Sequence, residues 1–139
     1  MIVINGDKAI FGRLLASSAK KLLEGEDVVV VNAEKTVFSG NKVSIIARYR
    51  EKRNIQQKSN PEHSPKYPVR PDLFLKYALK GMLPKKNASG KQALHKFKAF
   101  LGMPAEFEGK AEKFYKTSDD LAGKFVVLGE VCRELGWKG

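Results

Sequence analysis

Apolar positions along this chain change period several times, and each change marks an element. Ile2-Val3-Ile4 is a short β-branched run closed by Asn5-Gly6, the pattern of a strand entering a turn. From Ile10 to Glu24, Leu14, Leu15, Ala19, Leu22 and Leu23 recur at helical spacing; Lys20 and Lys21 fall in the later turns and Gly25 supplies the stop. Asp27 then leads into Val28 to Val31, an unbroken β-branched run of the kind buried on both faces at the centre of a helix-covered sheet. Thr36 to Ser39 predicts another short strand ending at Gly40. A helix is expected from Asn41, with Val43, Ile46 and Ala47 inward and Lys42, Arg48, Arg50, Lys52 and Arg53 outward. This order predicts an α/β fold with helices on a small central sheet of about four strands, with added basic helices.

The pattern lapses between residues 56 and 71, where Pro61, Pro65, Pro68 and Pro71 exclude a core element. A proline-rich loop is expected there. It carries Lys58, Lys66, Arg70 and Tyr67, and a long basic loop of this kind suits folding onto a partner. Beyond it, Asp72 is placed to cap a helix whose Leu73, Phe74, Tyr77, Ala78 and Leu79 form an apolar stripe beside Lys76 and Lys80. The run Lys80-Gly81-Met82-Leu83-Pro84-Lys85-Lys86 should stop that helix. Asn87 or Ser89 can cap the next one, in which Ala93, Leu94, Phe97, Phe100 and Leu101 recur while Lys91, Lys96 and Lys98 fill other faces. The result would be a rigid elbow presenting lysines. From Ala105 the chain becomes mixed in charge and reads as a peripheral tail. Within it, Phe125 to Leu128 fits either a strand or the lead into a last helix, Gly129 to Leu135, with Trp137 pinned on the surface.

A length of 139 residues suits one domain, residues 1–139, with its own core. No apolar run reaches the roughly 18 residues that a membrane span needs. Met1-Ile2-Val3-Ile4 meets Asn5-Gly6-Asp7 before a signal-peptide core could form, so a cytoplasmic location is expected. The single cysteine, Cys132, excludes an internal disulfide and a cysteine-built zinc site; a small buried helix residue is expected there rather than a nucleophile.

Charge changes the picture most. The net charge is +11, and residues 42 to 98 hold 15 basic side chains against 3 acids, so the remainder is close to neutral. From Leu73 to Ala105 there is no Asp or Glu at all. Segregation of this kind predicts one cationic face that steers and holds a polyanion. With aromatic residues interleaved, it matches the pattern of a nucleic-acid binder. The candidate contacts are the basic residues from Lys42 to Lys98 named above, Gly81 and Pro84 at the elbow, and Tyr67 as a stacking ring.

Other chemistries fit less well. Gly6 and Gly12 lack the third glycine of a dinucleotide fingerprint, and no phosphate loop follows any glycine. A phosphate seat at the Gly12 turn stays open, which makes a small α/β enzyme on a phosphorylated metabolite the alternative function. Asp119 and Asp120 are adjacent and far from either histidine, so they are expected to be solvated rather than catalytic. His63 and His95 stand at no ligand spacing, so neither metal nor cofactor is expected. A region rich in cations and poor in general bases binds rather than catalyses.

Several blocks also carry a resemblance. Phe11-Gly12-Arg13-Leu14, Ala16-Ser17, Val31-Asn32-Ala33-Glu34-Lys35, Ser39-Gly40-Asn41-Lys42, Lys80-Gly81-Met82-Leu83-Pro84-Lys85 and Gly102-x-Pro104 follow one another over residues 2 to 104. In that order and spacing they resemble the universal large-subunit ribosomal protein family called L-thirteen. Without the extensions of the bacterial and eukaryotic forms, the chain looks like the archaeal type. The resemblance implies a three-layer α/β domain that binds large-subunit ribosomal RNA and enters subunit assembly early. It further implies neighbouring large-subunit proteins as partners, no catalysis, no small-molecule substrate and no obligate homo-oligomer.

Overall fold

The computed structural model describes residues 1–139. Strand β1 (Ile2–Asn5) leads into helix α1 (Phe11–Leu23), and β2 (Val28–Val31) and β3 (Val37–Ser39) precede α2 (Lys42–Asn54). Helices α3 (Pro71–Met82) and α4 (Ala88–His95) flank the lysine elbow. Strands β4 (Phe97–Ala99), β5 (Glu112–Lys113) and β6 (Phe125–Val127) and helix α5 (Leu128–Leu135) complete the chain.

Local signals set the first unit. Gly25, at φ +97°, follows the end of α1, where its N–H donates to Leu22 O and that of Glu26 to Lys21 O. That bond pair is a Schellman stop, which asks for a left-handed residue and so for glycine. β1 and β2 then pair in parallel from Ile2↔Val28 to Asn5↔Val31, and all four valines of β2 are buried. β2 lies inside the sheet, whose order is β4-β2-β1-β5 with every pairing parallel.

Alternation along the strands divides the core. Ile4, Val28, Val30 and Phe97 face Leu14, Leu15 and Leu22 of α1, Leu75 and Leu79 of α3, and Leu128 and Cys132 of α5. Val3, Val29 and Val31 face the other way, onto Phe107 with Phe100, Met103 and Ala111. The arrangement is a three-layer α/β fold of unequal outer layers: helices on one face, and a 3₁₀ turn (Ala105–Phe107) with its flanks on the other.

Two strand assignments differ from the sequence reading. β3 leaves the central sheet and pairs antiparallel with β6, forming a ribbon with Val37 opposite Val127. Its place is taken by β4, which the helical spacing of Ala93, Leu94, Phe97 and Phe100 had assigned to a helix. α4 instead ends at His95, and Phe97 enters the sheet with no exposed surface. An isolated helix shorter than about 12 residues is marginal, whereas the open edge of β2 offers ladder bonds, Val28 N–H to Lys96 O at 3.3 Å and Phe100 N–H to Val30 O at 2.9 Å.

α2 is rotated from its expected setting. Ile45 and Ile46 point inward, against Val126 and Val131, while Val43 is 74% exposed and Ala47 is also exposed. An aromatic cluster selects that face: Tyr49 packs 5.0 Å from Phe74 and 5.8 Å from Phe38, between centroids. Asn41 caps the helix as expected, its Oδ1 accepting from Val43 N–H at 3.0 Å. Asp72, by contrast, lies inside the first turn of α3: Arg70 is the N-cap and Pro71 the first helical residue. Proline suits that place because its fixed φ is helical and its missing N–H is not needed. Asn87 occupies the cap position of α4 without a side-chain bond.

The segment from Ala105 is not peripheral. It adds β5 to the central sheet and β6 to the ribbon, and Leu128, Val131 and Cys132 have no exposed surface. Phe125 to Leu128 proves to be both alternatives in turn, a strand that runs directly into α5. Thr117 and Asp120 form a reciprocal capping box, so Asp120 has a structural role, and Trp137 packs partly buried against the main core.

Candidate nucleic-acid interface

α3 carries two apolar stripes, and only one can face the core. Phe74, Leu75, Ala78 and Leu79 turn inward; Leu73 and Tyr77 turn outward, 48% and 42% exposed, with Lys76 and Lys80 between and beyond them. The outward set stands at i, i+3, i+4 and i+7, so it forms one ridge along the helix. The stripe read from sequence had put Leu73 and Tyr77 in the core. The available signal was their interleaving with Lys76 and Lys80, which the inward residues lack.

The ridge forms one wall of a groove of about 470 Å³, completed by Lys66, Tyr67 and Pro68 of the proline loop and Leu94 of α4. The Tyr67 and Tyr77 rings stand 5.1 Å apart between centroids, tilted by 58°. Arg53 of α2 fixes the loop there, its Nη1 donating to the Tyr67 carbonyl at 2.7 Å. Partial burial raises the Tyr77 phenol above its ordinary range, and the Tyr67 phenol beside it adds to the rise.

Neighbouring clefts share lysines with this groove. Lys76 also borders a cleft with Asp72, Phe97 and Lys98; Lys98 borders another with Asp27, Gln92, His95 and Lys96; Lys80 borders a third with Gly81 and Lys85. Shared clefts therefore link Lys66, Lys76, Lys80 and Lys85 along α3 and the elbow, while Lys96 and Lys98, the latter in register with Val29, lie at the β4 edge of the sheet. Lys86 and Lys91 are exposed on the elbow and on α4. None of these eight lysines forms an ion pair, although Lys96 Nζ donates to Gly25 O at 3.3 Å.

The elbow is built differently from the sequence reading. Gly81 continues α3, which ends at Met82, and open space surrounds it. The bend comes at Leu83-Pro84 and is held by Gly90: a Cβ there would run into the Pro84 carbonyl. Gly90 is the residue that sequence reasoning missed, since a glycine inside a helix gives no local sign of what lies against it.

The cations of α2 form a separate group. Lys42 pairs with Glu130 at 3.7 Å, and Arg50 with Glu134 at 3.6 Å and with the Glu134 carbonyl at 3.1 Å. Arg48 and Lys52 lie 5.9 and 5.1 Å from the centroid of the Tyr49 ring. Burial raises the Tyr49 phenol, and Arg48 offsets part of that rise. On the loop, Arg70 is held by Asp72 at 2.9 Å, and Lys58 is exposed without an ion pair. At the Gly12 turn, the preceding backbone is engaged in bridges, Val37 N–H to Ala9 O and Ile10 N–H to Lys116 O.

Comparison with known proteins gives a consistent result. The sequence profile of the family described as ribosomal protein L13 matches residues 1–106. The chain is 39% identical to the large ribosomal subunit protein uL13 of Archaeoglobus fulgidus over 143 aligned positions, covering 99% of this chain and 88% of that protein. It is 40% identical to the protein of the same name from Methanococcoides burtonii, covering 99% of each. The uL13 of Aeropyrum pernix is also 40% identical, with 99% of this chain and 91% of that one covered.

Proposed function

Because this chain belongs to the ribosomal protein L13 family, we propose that it is a structural constituent of the large ribosomal subunit, seated on large-subunit ribosomal RNA through its lysine face. The family is a structural one, and the chain is not an enzyme. Its place is the ribosome, in the cytoplasm, beside other large-subunit proteins; no helix is long and apolar enough to cross a membrane.

One observation carries the RNA-binding part of this reading: Lys66 of the proline loop, Lys76 and Lys80 of α3 and Lys85 of the elbow line adjoining clefts, and none of them forms an ion pair. A face of free ammonium groups gains affinity by displacing the counterions of a polyanion, so binding falls steeply with salt. A-form RNA hides its base edges in a deep, narrow major groove, so such a surface reads backbone geometry, 2′-hydroxyls and unstacked loops. The clamp of Gly90 on Pro84 holds α3 and α4 in one relation, which lets their lysines meet phosphates of separate RNA segments.

The test is sedimentation of the native protein from a cell lysate, with and without RNase and after a moderate salt wash. Travel with large subunits through the wash, and release by RNase, is the expected result. A free small protein at the top of the gradient would overturn the reading.

A further inference from the structure

We propose that the groove between α3 and the proline loop seats a single unstacked base of single-stranded RNA, with the flanking phosphates on Lys66, Lys76 and Lys80. The inference rests on the RNA-binding reading above and goes further, to a ligand class for one part of the face.

The groove is chemically unlike the rest of the lysine surface. Its floor is aromatic and aliphatic, formed by Tyr67, Pro68, Leu73, Tyr77 and Leu94, whereas its rim carries three ammonium groups and no carboxylate. A nucleotide has the same division, a flat base with two π-faces on an anionic tether. A duplex surface would meet the rim alone, since its bases are stacked and out of reach; only a loop, bulge or open strand supplies a base for the floor. Base–aromatic stacking tolerates any sequence because every base has a π-face.

The platform is also set in advance. Arg53 holds the Tyr67 carbonyl at 2.7 Å, and the Tyr67 and Tyr77 rings already stand 5.1 Å apart. Side chains ordered before binding lose less entropy on binding, which favours affinity. Tyr77 projects from a helix whose opposite face fills the core, so its backbone is held in place by α3.

The experiment uses the full chain, an oligoadenylate strand, and an abasic strand of equal length that keeps the phosphates and lacks the bases. Wild type should bind oligoadenylate more tightly than the abasic strand. Tyr77→Ala should weaken oligoadenylate binding by about 5- to 100-fold and leave the abasic strand unaffected. Tyr77→Phe, which keeps the ring, should match wild type. Tyr77 is exposed, and an unchanged unfolding midpoint in both variants would show that the effect is local. Equal binding of the two strands, or no effect of Tyr77→Ala, overturns the base seat. If Lys76→Gln with Lys80→Gln still weakens both strands in that case, the RNA-binding reading survives and the face meets phosphates only. If wild type binds neither strand nor folded RNA, both readings fall. A Glu- and Tyr-rich peptide that binds more tightly than oligoadenylate, and depends on Tyr77, would reassign the groove to a protein partner.

Discussion

α2 and α3 are both basic, surface-lying helices of similar length, yet their cations meet different surroundings. α2 presents Lys42, Arg48, Arg50, Lys52 and Arg53; α3 presents only Lys76 and Lys80. α2 packs on α5, which brings Glu130 and Glu134 against Lys42 and Arg50, while Tyr49 gathers Arg48 and Lys52 and the proline loop takes Arg53. On the outer side of α3, α4 and β4 carry no acid and Asp72 is taken by Arg70, so Lys76 and Lys80 form no ion pair and border an apolar groove. The helix richer in charge thus has more of that charge engaged inside the protein. A cation becomes available to RNA through its neighbours, which local charge density does not report.

The contrast between the two helices is most vulnerable at the elbow. Gly90→Ala should force α4 off Pro84, at about 1–3 kcal/mol for an overpacked site or more. A denaturant midpoint would measure the loss, and RNA affinity should fall with it because Leu94 and Lys91 of α4 move, while the α2 ion pairs persist. An unchanged midpoint would mean that the elbow is not clamped.

Charge removal has the next largest expected effect. Lys76→Gln with Lys80→Gln should reduce the slope of log affinity against log salt by roughly 0.7–0.9 for each phosphate no longer neutralised. Lys42→Gln with Arg50→Gln should change it much less. Equal reductions would show that the α5 acids do not shield α2.

Removing those acids inverts the experiment. Glu130→Gln with Glu134→Gln should cost about 0–1 kcal/mol per pair, because both pairs are half-exposed. RNA binding should strengthen and become more salt-dependent as Lys42 and Arg50 are freed. Unchanged RNA binding would place α2 away from the RNA altogether.

The smallest effect belongs to the seam that both helices cover. Burial, with Asp72 adding to it, pushes the Cys132 thiol up to about 12. The unfolded chain therefore releases that proton at lower pH than the folded one. Stability from this group should be level below the ordinary thiol range and decline as pH rises toward about 12. Cys132→Ala should flatten that alkaline decline, and equal alkaline curves for the two proteins would remove the thiol from the explanation.

Much of the frame was legible along the chain. The valine run of β2, the helical period of α1, its Gly25 stop and the Asn41 cap depend on residues within a few positions of each other, and all appear as read. The cysteine was expected to be buried on a helix, and it is. The family blocks turn out to serve the scaffold as well. Asn32, left-handed at φ 54°, donates from Nδ2 to Asn5 Oδ1 at 2.9 Å, and the Glu34 carboxylate accepts from Gly102 N–H at 3.1 Å, which ties β2 to the turn after β4. Less legible were the outward turn of Tyr77, the inward choice of Ile45 over Val43, the pairing of β3 with β6, and the entry of Phe97 into the sheet. Each has two locally acceptable answers, and a distant partner selects between them.

Most element types, the first helix stop and the α2 cap, the family, and the concentration of positive charge between residues 42 and 98 are thus properties of the sequence unaided. They follow from periodicity, turn chemistry and composition, which act over short stretches of chain. Which of those cations stay free is settled only in three dimensions, because Glu130 and Glu134 reach α2 from nearly the other end of the chain. The same holds for which aromatic residues line a groove, because a helix with two apolar stripes can bury only the one that its neighbours have room to receive.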